Sequence, residues 1–206
     1  MKLYVTLTSP YARLVRIVLL EKGLEDRIDI VEATTRQQGS PYYAINPSGR
    51  VPCLVREDAP TLEGSGLICR YLDHLDGAPM FDPPSGDAFW EAMRLQEQAL
   101  ALMDGLAVWG REYYRPEDER SPGVIAHEQA RVARLMRVWE QDVTHPHLNG
   151  ALNMVQIMLI TALELDARNP NFVWRADYPA LLAWLSGHAG RPSVIATRPE
   201  TPIVVA

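Results

Sequence analysis

The sequence predicts an α/β domain at the amino-terminal end and an all-helical domain behind it. Over residues 1–77, short apolar strands alternate with amphipathic helices in the order β-α-β-α-β-β-α. Residues 78–86 are rich in proline and end on a glycine, which is typical of a linker. Over residues 87–206 only helical periodicity is found. One parallel crossover followed by a hairpin is the connectivity of a thioredoxin-like domain.

The elements of residues 1–77 follow from local spacing. Leu3, Val5 and Leu7 alternate as one face of a strand, and Gly23 ends a helix that begins at Pro10. Strands are expected at 3–7, 28–31, 51–55 and around 61–62; helices are expected at 10–22, 40–45 (a short helix or turn) and 65–75, the last with Leu67, Ile68, Tyr71, Leu72 and Leu75 inward.

Long amphipathic patterns fill residues 87–206. Asn153, with Gln156 three residues later, is a capping signal for a helix that is apolar nearly all round and is therefore expected at the centre of a bundle. The expected helices are 87–113 (Trp90, Met93, Leu100, Met103 and Leu106 inward), 122–143 (Ile125, Ala133, Leu135, Val138 and Trp139 inward), one from Leu152 onward, 178–188 and 191–197.

Composition excludes several classes of protein. The chain of 206 residues is 47% apolar and 22% charged, as in ordinary globular proteins, and its net charge of −6 argues against nucleic-acid binding. The most apolar window, 151–163, is too short to span a membrane, and no signal-peptide pattern precedes the first strand. Cys53 and Cys69 stand alone, and His145 with His147 lacks further ligands, so no metal site is expected. A reduced, cytoplasmic compartment is expected.

Ser9 and Pro10 mark the point where the first strand gives way to a helix. Serine is a preferred N-cap and proline a preferred first helical residue, so the pair could do no more than start the helix. In thioredoxin-like folds this position carries the Cys-x-x-Cys pair, whereas here Ser9 and Ala12 occupy the two slots and cannot form a disulfide. A hydroxyl at a helix N-terminus can instead stabilise a bound thiolate.

Residues 46–52 form the second candidate element. Asn46 to Gly49 fits a type I turn, and the segment could be only a turn that leads into a strand. Pro52 cannot donate to a β-ladder, which is unusual in a strand expected to be internal. A cis Val51–Pro52 bond would fit, with the Val51 N–H and C=O turned toward an extended peptide ligand.

These motifs, in this order, resemble a bacterial glutathione transferase. The resemblance rests on the segment 8–13, on the run Asn-Pro-Ser-Gly-Arg-Val-Pro-Cys-Leu at 46–54, on Ser65 with Ile68, Tyr71 and Leu72, on the capped apolar helix from Asn153, and on the closing Trp184, 191–193 and 197–199. It implies a thioredoxin-like domain at 1–77, a linker at 78–86 and a helical domain at 87–206. It also implies a homodimer that conjugates glutathione, its co-substrate, to small hydrophobic electrophiles in detoxification.

The resemblance also implies roles for individual residues. Ser9 matches the hydroxyl that activates the thiol, and Val51, before Pro52, matches the residue whose backbone pairs with the cysteinyl unit. Ser65 matches the serine that binds the γ-glutamyl carboxylate, and Arg50 stands near the glycyl end. Tyr11, Trp109 and Tyr113 are candidates for the electrophile site, although aromatic side chains on helices are as often core or surface residues.

One position departs from the family pattern. The family usually has Asp or Glu directly before the helix-starting serine, where it contacts the γ-glutamyl ammonium. Here Gly64 takes that place and Glu63 lies one residue earlier. Either Glu63 reaches the ammonium from a shifted backbone, or the ammonium has no partner from this strand.

The leading hypothesis from the sequence is a glutathione transferase with Ser9 as its thiol-activating residue. The alternative is a binding or regulatory protein of the same fold with little catalytic activity, which the glycine at 64 favours. A glutaredoxin-like oxidoreductase is disfavoured because position 9 is not cysteine. Cys53 is expected to be a small core residue.

Overall fold

The computed structural model describes residues 1–199. Two compact units are present, the first covering Met1–Asp82 and the second beginning at Pro83. The division falls inside the expected linker at 78–86. The first unit has the predicted order of strands and helices, and the described part of the second unit is helical.

The first unit is a four-stranded sheet with helices on both faces. Its strands lie in the order β2-β1-β3-β4, with β1 parallel to β2 and antiparallel to β3. This is the thioredoxin-like arrangement, so the predicted fold class is confirmed. The elements are β1 (Lys2–Val5), α1 (Pro10–Glu21), β2 (Asp29–Glu32), α2 (Tyr42–Ile45), β3 (Cys53–Arg56), β4 (Ala59–Glu63) and α3 (Ser65–His74).

The two faces of this sheet carry different side chains because neighbours along a strand alternate. Leu3 and Leu54 are paired across β1 and β3 and are fully buried. Tyr4 and Cys53, the next pair, point to the opposite face, where Cys53 packs with Tyr42 of α2. The short helix α2 therefore covers the face that carries Cys53.

A buried ion pair joins the ends of α1 and α3 in the first unit. The Nζ of Lys22 lies 3.4 Å from Oδ1 of Asp73, and both side chains are almost fully buried. The two carboxylate oxygens of Asp73 accept the backbone N–H groups of Met80 and Phe81 at 2.8 and 2.9 Å. The ends of α1 and α3 are thus joined to the segment that leads out of the unit.

The second unit is built around one buried helix. All residues of α6 are buried, and the side chain of Asn153 accepts a hydrogen bond from the Gln156 N–H at 3.2 Å, as the capping signal predicts. The helices are α4 (Asp87–Tyr113), α5 (Pro122–Gln141), α6 (Met154–Leu163), α7 (Pro179–His188) and α8 (Pro192–Ala196), with short 3₁₀ turns at Glu117–Glu119, Pro146–Leu148 and Glu164–Ala167.

Three side chains predicted to face inward are exposed: Leu67, Trp90 and Val138, with exposed fractions of 55%, 73% and 38%. The prediction for α4 rests on its large side chains, but two alanines belong to its buried stripe. That stripe runs through Ala92, Leu95, Ala99, Leu102 and Leu106. Trp90 lies two residues from Ala92, about 200° round the helix. Val138 lies equally far from the buried Met136.

Within residues 1–199, no helix combines the length and apolar character needed to cross a bilayer.

Candidate functional site

The sheet register brings three predicted segments to one end of the first unit. Tyr4 of β1 pairs with Cys53 of β3, which in turn pairs with Glu63 of β4. The chain therefore leaves β1 toward Ser9, enters β3 from Val51 and leaves β4 toward Ser65 at the same end of the sheet. Residues that are far apart in sequence are gathered there by strand direction alone.

Ser9 caps α1 and keeps a proton that can be donated. Its Oγ accepts the Ala12 N–H at 3.3 Å, with Pro10 as the first helical residue. The predicted capping role is therefore present. A hydroxyl has one O–H donor besides its acceptor lone pairs, so capping leaves the Ser9 O–H available to an anion. The free N–H groups of the first helical turn favour negative charge at the same place.

The loop before β3 contains a cis peptide bond between Val51 and Pro52. The cis bond that the sequence suggested is therefore present. The expected bounds of the strand, 51–55, are wrong, because β3 begins at Cys53. Proline lacks the N–H that a ladder requires and lies just outside the strand. The preceding turn also forms as predicted, with the Gly49 N–H donating to the Asn46 carbonyl at 2.9 Å.

Two buried side chains hold the carbonyl of Arg50. The hydroxyl of Tyr42 donates to it at 2.5 Å, and Nδ2 of Asn46 donates to it at 3.0 Å. Tyr42 and Asn46 are 3% and 4% exposed, whereas the side chain of Arg50 is exposed. Burial raises the pKa of the Tyr42 hydroxyl, which keeps it protonated and able to donate.

The start of α3 offers backbone donors without a side-chain cap. Gly64 is the N-cap at φ 91° and ψ 121°, a conformation that residues with a Cβ rarely adopt. Its carbonyl accepts the Ile68 N–H at 3.0 Å, so the helix begins at Ser65 as predicted. The N–H groups of the first turn and the half-buried Ser65 side chain are arranged as in an anion-binding helix start.

Glu63 is tied to another part of the site. Because Glu63 pairs with Cys53 in the ladder, its side chain points to the face that α2 covers. There its Oε2 accepts a hydrogen bond from Oγ of Ser48 at 2.5 Å. The same Ser48 Oγ accepts the Arg50 N–H at 3.2 Å, so Glu63 is connected to the loop before β3.

The aromatic residues predicted for an electrophile divide between the two units. In the second unit, Trp109 and Tyr113 lie one turn apart on α4 and line one cleft of about 210 Å³. Ile125 of α5 lies opposite, and the Arg120 guanidinium lies 5.5 Å from the centre of the Tyr113 ring. Tyr11 belongs to the first unit, and its place in an electrophile site stays a prediction.

The two cysteines and the histidine pair lie in buried or hydrogen-bonded positions. Cys53 and Cys69 are both buried free thiols, and burial raises the pKa of each, which disfavours the nucleophilic thiolate. His145 caps the short 3₁₀ turn at Pro146–Leu148, and its Nδ1 accepts the His147 N–H at 3.2 Å. That nitrogen is committed to the backbone.

Comparison with known proteins gives a family match for the first unit and similar structures for the whole chain. Residues 8–75 match the family model for the glutathione S-transferase N-terminal domain. The structure is similar to that of a glutathione transferase family member from Pseudomonas fluorescens Pf-5, solved with bound glutathione, at a TM-score of 0.87 and 29% identity over 97% of this chain and 99% of that one. Residues 8–75 therefore form a glutathione S-transferase N-terminal domain, and the chain as a whole is similar to solved glutathione transferases.

Two further relatives cover the chain from end to end. A glutathione S-transferase from Methylobacillus flagellatus KT, solved with glutathione bound, is 28% identical over 98% of this chain and 99% of its own, with a TM-score of 0.85. The uncharacterized GST-like protein YibF of Escherichia coli K12 is 26% identical over 97% of this chain and 98% of its own length.

Sequence reasoning missed three side chains of this transferase-like site: Tyr42, Asn46 and Ser48. Asn46 was considered only as a turn residue, although it also donates to the Arg50 carbonyl. The spacing of four residues between Tyr42 and Asn46, on a short helix that ends beside the turn, was the available signal. The bond from Ser48 to Glu63 joins residues 15 apart and had no signal in the sequence.

Proposed function

We propose that this protein is a glutathione transferase that binds glutathione across Ser9, Val51 and Ser65. The observation that carries the proposal is the convergence of these residues at one end of the sheet, through the pairing of Tyr4, Cys53 and Glu63. Two relatives of similar fold, from P. fluorescens and M. flagellatus, hold glutathione in their structures. Glutathione is accordingly the proposed co-substrate.

In the proposed reaction the glutathione thiol releases its proton to water, and the Ser9 O–H donates a hydrogen bond to the sulfur anion, which favours the thiolate over the thiol. The N-terminus of α1 stabilises the same charge. The thiolate then forms a bond to the electrophilic carbon of the second substrate, and the leaving group departs with its bonding electrons. No change of oxidation state is involved, so the proposed chemistry needs no redox cofactor or metal.

Replacing Ser9 by alanine tests the thiolate assignment. Wild-type protein titrated with glutathione is expected to show thiolate absorbance in the far ultraviolet near neutral pH. Free glutathione is mostly protonated at that pH, because a free thiol has a pKa of about 8.5. Ser9→Ala is expected to raise the pKa of the bound thiol by about one unit, because the donor to the sulfur is lost.

Ser121→Ala is the matched control for the loss of a helix cap. Ser121 precedes a proline and caps α5 through its Oγ, which accepts the Val124 N–H at 3.4 Å, as Ser9 caps α1. Each variant loses about 1 kcal/mol of capping, but only Ser9→Ala is expected to change the thiol pKa. Equal thiolate formation in both variants would remove Ser9 from its role. No binding by the unmodified protein at millimolar glutathione would favour the alternative, a binding or regulatory protein of the same fold with little catalytic activity.

We further propose that the γ-glutamyl ammonium of glutathione receives no carboxylate from β4. Gly64 has no side chain, and the Glu63 carboxylate points to the α2 face and accepts from Ser48. A charge-assisted hydrogen bond contributes about 1.5–3 kcal/mol, so its absence lowers the affinity for glutathione by tenfold or more. The site would then distinguish poorly between a free and an acylated γ-glutamyl amine.

A ligand pair tests this proposal on Gly64. Wild-type protein is expected to bind glutathione and its N-acetyl derivative with dissociation constants within about twofold of each other, because neither gains an ion pair at the amine. Gly64→Asp is expected to favour glutathione by about tenfold.

Gly64→Asn is the control for this pair. No heavy atom lies within 4 Å of a Cβ built on Gly64, so Asp and Asn both fit, and the strain at φ 91° is common to them. Within each variant, the strain affects the dissociation constants of both ligands equally, so it drops out of their ratio. A wild-type preference for glutathione above tenfold that Glu63→Gln abolishes would show that a carboxylate of β4 reaches the ammonium and would contradict the proposal.

We propose the cleft of Trp109, Tyr113 and Ile125 as the electrophile site. Trp109, Tyr113 and Ile125 give the cleft an aromatic and aliphatic wall, which suits a small hydrophobic substrate. The rest of its lining consists of Arg120, Gln129 and Asn171. Ile125→Trp fills the cleft and is expected to raise the KM for an aromatic electrophile by about tenfold without changing the dissociation constant of glutathione.

The control for this substitution is Val124→Trp. Val124 is the exposed neighbour of Ile125 and does not line the cleft. The assignment of the cleft would be contradicted if Ile125→Trp and Val124→Trp had the same KM for the electrophile.

We propose that the protein is a homodimer and that Trp90 lies in its interface. Trp90 is 73% exposed and stacks edge-to-face on Phe89 at 5.1 Å between ring centres, forming an apolar surface at the start of α4. Wild-type protein is expected to sediment at twice the 23.1 kDa of one chain. Trp90→Arg is expected to lower the sedimenting mass toward that of one chain. Glu97→Arg, a substitution on the same helix, is expected to leave the mass unchanged. A wild-type monomer would contradict the proposal.

The proposed setting is the reduced cytoplasm, where glutathione is present as a thiol and unpaired cysteines such as Cys53 and Cys69 persist. Detoxification of electrophilic small molecules is the proposed role. With a net charge of −6, nucleic acid is not a proposed partner, and neither is a membrane.

A further inference from the structure

The Arg50 carbonyl is the most constrained backbone group near the candidate glutathione site. It accepts two side-chain hydrogen bonds, from the Tyr42 hydroxyl at 2.5 Å and from Asn46 Nδ2 at 3.0 Å. The Tyr42 hydroxyl also accepts from Nδ2 of Asn46 at 3.5 Å, so the three groups form one small network. A carbonyl oxygen has two lone pairs, and here both are directed at buried donors.

The two donors are themselves held in place. The Tyr42 N–H donates to Oγ of Ser40 at 3.2 Å, and that hydroxyl donates to the Thr34 carbonyl at 2.6 Å. Oδ1 of Asn46 accepts the Ser48 N–H at 3.2 Å, and its backbone N–H donates to the Tyr42 carbonyl at 2.9 Å. Neither donor can turn away without leaving buried polar groups unpaired, which is unfavourable.

Peptide geometry carries this constraint to the next residue. The bond between Arg50 and Val51 is trans, so its C=O and N–H point in opposite directions within one plane. When Tyr42 and Asn46 draw the Arg50 carbonyl into the buried side of the loop, the Val51 N–H must point away from it. Since Pro52 follows and carries no N–H, Val51 holds the last backbone donor before β3.

We infer that Tyr42 and Asn46 are positioning residues that direct the Val51 N–H toward the cysteinyl carbonyl of bound glutathione. The inference rests on the proposed function, in which the Val51 backbone pairs with the cysteinyl unit. Neither side chain touches the substrate. They act through the Arg50–Val51 peptide plane, and they keep it oriented before the ligand arrives, so less ordering is required on binding.

A purely structural role for the same network makes a different prediction. Tyr42 packs with Ala33 and Cys53, and its loss could loosen the α2 face as a whole. Loosening would weaken every ligand of the site to a similar extent, because it would disturb the whole loop. Orientation of one N–H weakens only a ligand that accepts from it.

The test combines Tyr42→Phe with two ligands. Phenylalanine keeps the ring and its packing and removes only the hydroxyl. Glutathione is compared with γ-glutamylcysteamine, which keeps the γ-glutamyl group and the thiol but lacks the cysteinyl carbonyl and the glycyl residue attached to it. Tyr42→Phe is expected to weaken glutathione binding by about five- to tenfold, the effect of one hydrogen bond, and γ-glutamylcysteamine binding by less than about twofold.

Tyr43→Phe is the matched control. It makes the same chemical change one residue away on α2, and the hydroxyl of Tyr43 makes no hydrogen bond to any described residue. Tyr43→Phe is expected to leave both dissociation constants unchanged. At saturating glutathione, kcat of Tyr42→Phe is expected to match that of the wild type, because the sulfur and Ser9 are unaffected.

Three results would overturn the inference: equal weakening of both ligands by Tyr42→Phe, no weakening of either, or the same effect from Tyr43→Phe. If the unmodified protein fails to bind glutathione at millimolar concentration, the proposed function falls, and the positioning role with it. That failure is recognised in the wild-type measurement alone, before any variant is compared.

Discussion

The hydrogen bonds to the Arg50 carbonyl are the constraint on which the candidate site depends. One backbone hydrogen bond, from Gly49 to Asn46, forms the turn in the loop before β3, and side chains accept from or donate to the rest of the loop. Tyr42 and Asn46 donate to the Arg50 carbonyl from the buried side, at 2.5 and 3.0 Å. In the proposed site, the side of the loop that carries the Val51 N–H is therefore fixed by side chains that lie on the other, buried side.

The other parts of the site combine structural and chemical roles in the same atoms. The Ser9 hydroxyl accepts a capping bond with its oxygen and has its proton left for a sulfur anion. The Glu63 carboxylate, in contrast, accepts a hydrogen bond from Ser48. Gly64, the next residue, has no side chain that could take the place of that carboxylate. The proposed glutathione site thus has the Ser9 hydroxyl at the start of α1 but has no acidic residue directly before Ser65.

Local signals predicted the parts of the structure that local physics decides. The serine–proline start of α1, the turn from Asn46 to Gly49 and the Asn153 cap are each encoded within four residues, and all three form. The spacing of large side chains predicts Trp90 inward, whereas the buried positions in the first half of α4 include two alanines, Ala92 and Ala99. The hydrogen bond between Ser48 and Glu63 depends on strand register, which no local pattern specifies.

The central claim is that glutathione binds where Ser9, Val51 and Ser65 meet, and amide resonances of isotope-labelled protein report this most directly. Titration with glutathione is predicted to move the amide signals of Ala12, Val51 and Ser65 together, with a single dissociation constant, while that of Asn171 stays in place. The Val51 amide is predicted to shift in the direction of a stronger hydrogen bond. Unchanged Val51 and Ser65 signals at millimolar glutathione, or changes confined to other residues, would contradict the account.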